Sequence, residues 1–222
     1  MIAGRLSTIL SELPQSVKLV AVSKFHPVSS IREAYDAGQR VFGESRPQEF
    51  AAKVPQLPED IEWHFIGHLQ TNKLKLVLPY ASLIESVDSV RLLEAISRWA
   101  VSSGRRVDVL LELHLGSEET KGGFSSEEIL SVAAAAVSGA PFLEGIRLRG
   151  LMGMATNTDD REVIRSEFGR IAALKREINE RFPSLTSFTE LSIGMSDDWP
   201  LAVEAGSTAV RIGTAIFGPR EY

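Results

Sequence analysis

The sequence contains no cysteine. This excludes disulfides, thiolate metal ligands and a cysteine nucleophile, and it suits a reducing, cytoplasmic setting. Basic charge is not in excess: 24 Lys and Arg stand against 29 Asp and Glu, a net charge of −5. A dedicated nucleic-acid binder carries a basic patch or stripe, and Lys73 and Lys75 are too few to make one, so no nucleic-acid partner is expected. No run approaches the ~18 apolar residues of a membrane span. The longest greasy stretch, 132–137, is mostly alanine and reads as a helix face. Residues 1–15 carry Arg5, Ser7, Ser11 and Glu12 within their apolar pattern, so the apolar region of a signal peptide is missing. No membrane partner is expected. Linkers and low-complexity tracts are also absent, and the 17 Gly and 10 Pro are scattered over all 222 residues. A single domain, 1–222, follows.

What is present is an alternation. Short β-branched runs at 18–22, 40–42, 62–66, 82–86, 107–113, 147–152, 188–192 and 208–212 predict eight strands. Several are almost continuously apolar, as strands buried on both faces are. Helical patterns lie between them. Ser30 with Glu33 fits a capping box opening a helix over 31–37 that stops at Gly38, and Ser125 with Glu128 fits a second before 129–137. Shorter helices are expected at 47–54 and 71–78, and a longer one at 89–102 with Leu92, Ile96, Trp99 and Ala100 on one face. The longest pattern, 161–182, places Ile164, Phe168, Ile171, Ile178 and Phe182 at helical spacing. Asp197-Asp198 signals a cap for 200–205, which ends at Gly206. Eight strands alternating with helices imply right-handed crossovers and parallel pairing. The expected architecture is α/β, a closed (β/α)8 TIM barrel, with an extra N-terminal helix over 2–10 covering its bottom or side. An open doubly wound sheet is the rival, but it usually needs fewer strands.

In such a barrel the site lies just past the strand ends. Lys24 follows the apolar run at 19–22. Desolvation there lowers an amine's pKa and favours Schiff-base chemistry, whereas a lysine that merely snorkels to solvent would look the same in sequence. Gly194-Met195-Ser196 and Gly213-Thr214 follow strands seven and eight, the usual phosphate corner. Ser196 and Thr214 would add hydroxyl donors; ordinary turn glycines with capping hydroxyls are the plainer alternative. Residues 213–218 have the outer glycine spacing of a Walker loop, but Pro219-Arg220 follows instead of Lys-Ser/Thr, which excludes an NTPase. Arg211 lies within an apolar strand and needs a partner, either a carboxylate or a ligand ring nitrogen. His64 and His68 are separated by roughly 13 Å of strand and turn, too far to chelate as a helical pair would, so no metal is expected. His64 faces the mouth or is a satisfied core histidine. Glu118, Glu119 and Lys121 read as a solvated loop, with unusual backbone shape at Gly122-Gly123.

Taken in order, several segments resemble those of the pyridoxal 5′-phosphate (PLP) homeostasis proteins: VAVSK at 20–24, WHFIGHLQTNK at 63–73, ETKGGF at 119–124, RGLMGMA at 149–155, GMSDD at 194–198 and RIGTAIFG at 211–218. The resemblance covers nearly the whole chain. It implies a barrel like the N-terminal domain of alanine racemases. Lys24 would hold PLP as a Schiff base, and Ser196, Gly213 and Thr214 would hold the phosphate with Met195 beside them. Arg211 would face the pyridine nitrogen, and His64 and Ser45 would stand near the ring or mouth. The family commonly has Asn where this chain has Ser45 and His114.

An arginine at the ring nitrogen discourages carbanion chemistry, because it keeps that nitrogen unprotonated. Two-base racemisation also needs a second acid or base, which alanine racemases take from a tyrosine of a further β domain. Tyr35 and Tyr80 fall in or beside predicted helices and Tyr222 is terminal. The expected function is therefore a cytoplasmic PLP carrier in vitamin B6 homeostasis, not an enzyme, with PLP and PLP-requiring apo-enzymes as partners. A monomer is expected, since the domain that makes the racemase dimer contacts is not in the sequence. The alternatives are a short PLP-dependent racemase or lyase of the same fold, and a barrel enzyme that forms a Schiff base with a sugar phosphate.

Overall fold

The computed structural model describes residues 1–115 and 122–219. The eight apolar runs become eight parallel strands: β1 (Lys18–Val22), β2 (Val41–Glu44), β3 (Glu62–Phe65), β4 (Leu83–Val87), β5 (Val107–Glu112), β6 (Ile146–Met152), β7 (Glu190–Ser192) and β8 (Ala209–Ile212). They pair in chain order, and β8 closes onto β1 with Lys18 opposite Ala209 and Ala21 opposite Ile212. The structure is the (β/α)8 barrel expected. Helix α1 (Ile2–Glu12) precedes the first strand. Each strand is then followed by a helix: α2 (Val28–Asp36), α3 (Pro47–Lys53), α4 (Leu74–Val77), α5 (Val90–Ser103), α6 (Ser126–Val137), α7 (Arg161–Arg181), α8 (Trp199–Glu204) and α9 (Thr214–Phe217). No described helix is long and apolar enough to cross a membrane.

Alternation along each strand separates two cores. Outward-facing side chains pack against the helices, where Phe42, Phe50, Trp63 and Phe65 form an aromatic cluster with ring centroids 5.6–6.0 Å apart. Inside the barrel, Leu83, Leu110 and Met152 form a separate small cluster. Above it the interior turns polar, and that change of character positions the site.

Several local expectations are corrected. Ser30 and Glu33 do not form a capping box: α2 starts earlier, at Val28, with Pro27 as its N-cap. Glu33 Oε1 instead accepts from the Met1 ammonium at 3.1 Å and from Ile2 N at 2.9 Å, which ties α1 to α2. Helix α1 lies along the barrel's side, where Arg5 Nη1 reaches Ile216 O of α9 at 3.5 Å. The Ser125–Glu128 box is present with both bonds made. Asp198 occupies the N-cap of α8 without capping it; its Oδ1 turns back to accept from Met195 N. The helix expected over 71–78 divides into a 3-10 turn, Thr71–Lys73, and the single turn of α4.

Candidate active site

A cavity of about 210 Å³ opens at the C-terminal mouth of the barrel. Val22, Lys24, Ile66, Met154, Met195, Ser196, Arg211, Gly213 and Thr214 are among its lining residues. All six site residues expected from sequence (Lys24, Met195, Ser196, Arg211, Gly213 and Thr214) thus meet in one place, though 190 positions separate Lys24 from Thr214. A larger hollow, about 720 Å³, surrounds the start of β6 and the turns after α6 and α7. Arg147 in it is already held by Asp108 through two bonds of 2.7 and 2.6 Å. Ligand sites of this fold lie at the strand C-termini, which favours the smaller cavity.

Lys24 is half-buried and stands between a fully buried Ser23 and Phe25, whose φ is +67°. Across the cavity, Gly194 has φ +96°, and a Cβ there would come within 2.6 Å of Ala202 Cβ. Glycine is therefore required where the loop passes over α8. At Gly213 a Cβ would meet Val22 O at 3.1 Å, so the chain leaving β8 runs tight against the end of β1. The first N–H groups of a helix have no partner within it, and α9 opens directly at Thr214. Its hydroxyl and that of Ser196 border the same cavity, a combination suited to an anion.

Arg211 is buried beside the cavity, and its partners include a carboxylate, the first of the two alternatives. Its Nη1 donates to Ser192 O and Ser192 Oγ at 2.7 Å, and its Nη2 donates to Gly153 O at 2.9 Å. Glu85 Oε2 lies 3.7 Å from the guanidinium, and Ser192 Oγ donates to that same oxygen at 2.6 Å. Glu85 Oε1 accepts from His64 Nδ1 at 2.5 Å. Glu85 reaches β7 and β8 from β4 on the far wall, so this chain of bonds crosses the barrel interior. Burial alone would raise the Glu85 pKa. The bond and charge of His64, the charge of Arg211 and the bond from Ser192 outweigh it and hold the carboxyl below its usual value. The result is a carboxylate that fixes a charged arginine beneath the cavity.

His64 is a core histidine bonded to Glu85, and neither it nor Ser45 is among the residues lining this cavity. His68 pairs separately, with Nδ1 2.8 Å from Asp88 Oδ2. The expected loop at Glu118, Glu119 and Lys121 lies outside the described residues, as does Tyr222. Gly123 does have unusual backbone shape, with φ +126°. Tyr35 is bonded to Asp60, away from the mouth.

Sequence reasoning missed two carboxylates. Glu85 is one. Glu112 is the other: it ends β5, and burial, reinforced by the charge of Asp88 and opposed by Arg211 and His68, pushes its pKa up to about 7. Its position at a strand C-terminus was the available signal.

Residues 2–221 match a protein family described as "Alanine racemase, N-terminal domain". A pyridoxal phosphate homeostasis protein from Vibrio alginolyticus is 40% identical over 214 residues, covering 94% of this chain and 89% of the relative. One from Escherichia coli is 39% identical over 217 residues, covering 94% and 88%. The chain belongs to the pyridoxal phosphate homeostasis protein family of alanine racemase-like barrels. Among solved structures, PipY from Synechococcus elongatus with PLP bound superimposes with a TM-score of 0.89 at 39% identity, covering 98% of this chain and all of that one.

Proposed function

We propose that this protein binds PLP at the barrel mouth and holds it for delivery to PLP-requiring apo-enzymes, without efficient amino-acid turnover. The observation that carries this reading is the convergence of Lys24, Arg211 and the Ser196/Gly213/Thr214 corner on one cavity of about 210 Å³. This is below the range of about 300–1,000 Å³ usual for drug-sized ligands, and it suits a small ring bearing an aldehyde and a phosphate. Lys24 would hold PLP through its amine, as a Schiff base to the aldehyde formed with loss of one water. Ser196 and Thr214 would donate their hydroxyls to the phosphate, joined by N–H groups at the start of α9. Met195, whose exposed side chain borders the cavity, would cover the ligand, while its own N–H is taken by Asp198.

Bound PLP supplies an electron sink, and the protein sets how strong that sink is. A carboxylate at the pyridine nitrogen keeps it protonated and the sink strong. Arg211 is a donor that stays charged, and Glu85, Ser192 and Gly153 fix it in place. Facing the ring nitrogen, Arg211 would leave it unprotonated and disfavour carbanion formation, which supports a carrier.

The test is a spectrum and intact mass of the protein loaded with PLP, before and after borohydride, for the unsubstituted chain and Lys24→Ala. A yellow band that bleaches, with one reduced PLP fixed at Lys24 and none in the variant, is expected. No band and no adduct after adding PLP would overturn the reading.

A second reading, a PLP-dependent enzyme, is favoured by the place of Glu112 at the C-terminal end of β5, where burial and the charge of Asp88 push its pKa up to about 7, suited to an acid or base. Steady amino-acid turnover that is lost in Glu112→Gln would establish it.

A further inference from the structure

Beneath the Lys24 loop, between the strands and α3, lies a second buried group of charges. Lys53 Nζ donates three bonds: to Ser23 O at 2.9 Å, to Glu44 Oε1 at 2.7 Å and to Glu49 Oε1 at 2.6 Å. These are all the donors an ammonium has. Glu44 Oε1 also accepts from Ser23 Oγ at 2.6 Å, and Glu49 Oε1 accepts from Phe25 N at 2.7 Å. The residues immediately before and after Lys24 are thus both tied to one triad, Glu44–Lys53–Glu49. Lys53 and Glu44 are buried. Phe25 holds a left-handed φ that aromatic residues adopt rarely and only when their surroundings enforce it. The Glu49 bond is one enforcing contact, and the Arg46 guanidinium, 4.2 Å from the Phe25 ring centroid, is another.

A surface loop needs no such ion triad, and burying the two charges of Lys53 and Glu44 is costly unless they are tightly paired. What distinguishes this loop is the side chain between its two anchors. We infer that Glu44, Lys53 and Glu49 are positioning residues for Lys24: by fixing the main chain on both sides, they aim its amine at the carbonyl carbon of an aldehyde bound in the cavity. This rests on the reading that Lys24 attaches PLP. It adds that the rate of attachment, rather than affinity for the phosphate and ring, is what the triad controls, since orientation acts on bond formation. Glu49 is the informative member: it is partly exposed and holds Phe25 N without touching the cavity.

The test compares two ligands on the full chain. PLP can attach covalently; pyridoxine 5′-phosphate, with an alcohol in place of the aldehyde, can only bind. Glu49→Ala removes the acceptor for Phe25 N, whereas Glu49→Gln keeps a carbonyl oxygen there. Glu49→Ala should slow borohydride-trapped attachment at saturating PLP by about tenfold, with affinity for pyridoxine 5′-phosphate within about twofold, and Glu49→Gln should recover most of the rate. Lys53→Met, checked for folding by circular dichroism, should slow attachment further. Equal attachment rates in Glu49→Ala and the unsubstituted protein would overturn the positioning role alone. A parallel loss of both ligands with a lowered Tm would also overturn it, leaving a purely structural triad. Absence of any adduct in the unsubstituted protein would overturn the cofactor reading, and the positioning role with it.

Discussion

Two glutamates lie fully buried in this barrel, and their surroundings push them in opposite directions. Glu85, inside the barrel, has both oxygens engaged: Oε1 by His64, and Oε2 by Ser192 with Arg211 nearby. Its pKa falls despite burial. Glu44, in the layer between strands and helices, has one oxygen bonded to Lys53 and Ser23, while Oε2 has no hydrogen-bond partner among the described residues. Burial prevails over Lys53 and Ser23, and its pKa rises. Two differences set them apart: Glu85 faces the charges of both His64 and Arg211 with a bond on each oxygen, whereas Glu44 has one oxygen unbonded and the like charge of Glu49 beside its lysine. The two clusters also differ in what they hold. Glu85 grips a side chain, Arg211; the Glu44 triad grips main chain, on either side of Lys24.

The largest way to break this contrast is Glu85→Ala. It leaves Arg211 and His64 buried without their counter-ion, and urea unfolding should report a loss of about 3–5 kcal/mol. A loss under 1 kcal/mol would mean that the interior network is not a coupled unit.

Glu112 offers a pH-dependent effect. Its folded pKa is about 7 against an ordinary 4.5, so the fold favours the protonated form. That contribution is fully present below about pH 4.5 and is lost as pH rises through 7, an amount of about 3 kcal/mol. Glu112→Gln cannot ionise. Its stability relative to the unsubstituted protein should therefore grow by about that amount between pH 4.5 and pH 8. A constant difference across this range would show that Glu112 keeps its ordinary pKa.

The finest comparison is one of sign. Glu85, with a lowered pKa, contributes stability that is present above the unfolded value and lost as pH falls through the folded one. Glu44, with a raised pKa, contributes stability that is lost as pH rises above the unfolded value. The stability of the unsubstituted protein relative to Glu85→Gln should accordingly rise with pH, and that relative to Glu44→Gln should fall. Denaturation series at pH 4 and pH 7 give the two slopes, and slopes of the same sign would remove the distinction.

Most of the barrel was legible because strand and helix periods are local. All eight strands fall where the apolar runs predicted, with ends shifted by a residue or two: the 40–42 run becomes Val41–Glu44, and 188–192 shortens to Glu190–Ser192. The cavity-lining residues were legible too, since the fold puts ligands just past its strand ends and Lys24, Ser196, Gly213 and Thr214 stand there. Capping marks the limit of local reading. Ser125–Glu128 and Ser30–Glu33 have the same spacing, yet only the first makes a box. At the second, Pro27 starts the helix early, and the chain's N-terminus, 32 residues away, claims the glutamate.

The sequence by itself determined the alternation, the closure it implies, and which strand ends carry an amine, an arginine and glycine-rich loops. Only the tertiary structure decided which groups hold those residues. Glu85 and Ser192 are 107 residues apart, and Lys53 and Ser23 are 30 apart. Neither separation has a periodic signature, because partners meeting across a closed barrel, or between a strand and its covering helix, are chosen by the geometry of closure and not by their distance along the chain.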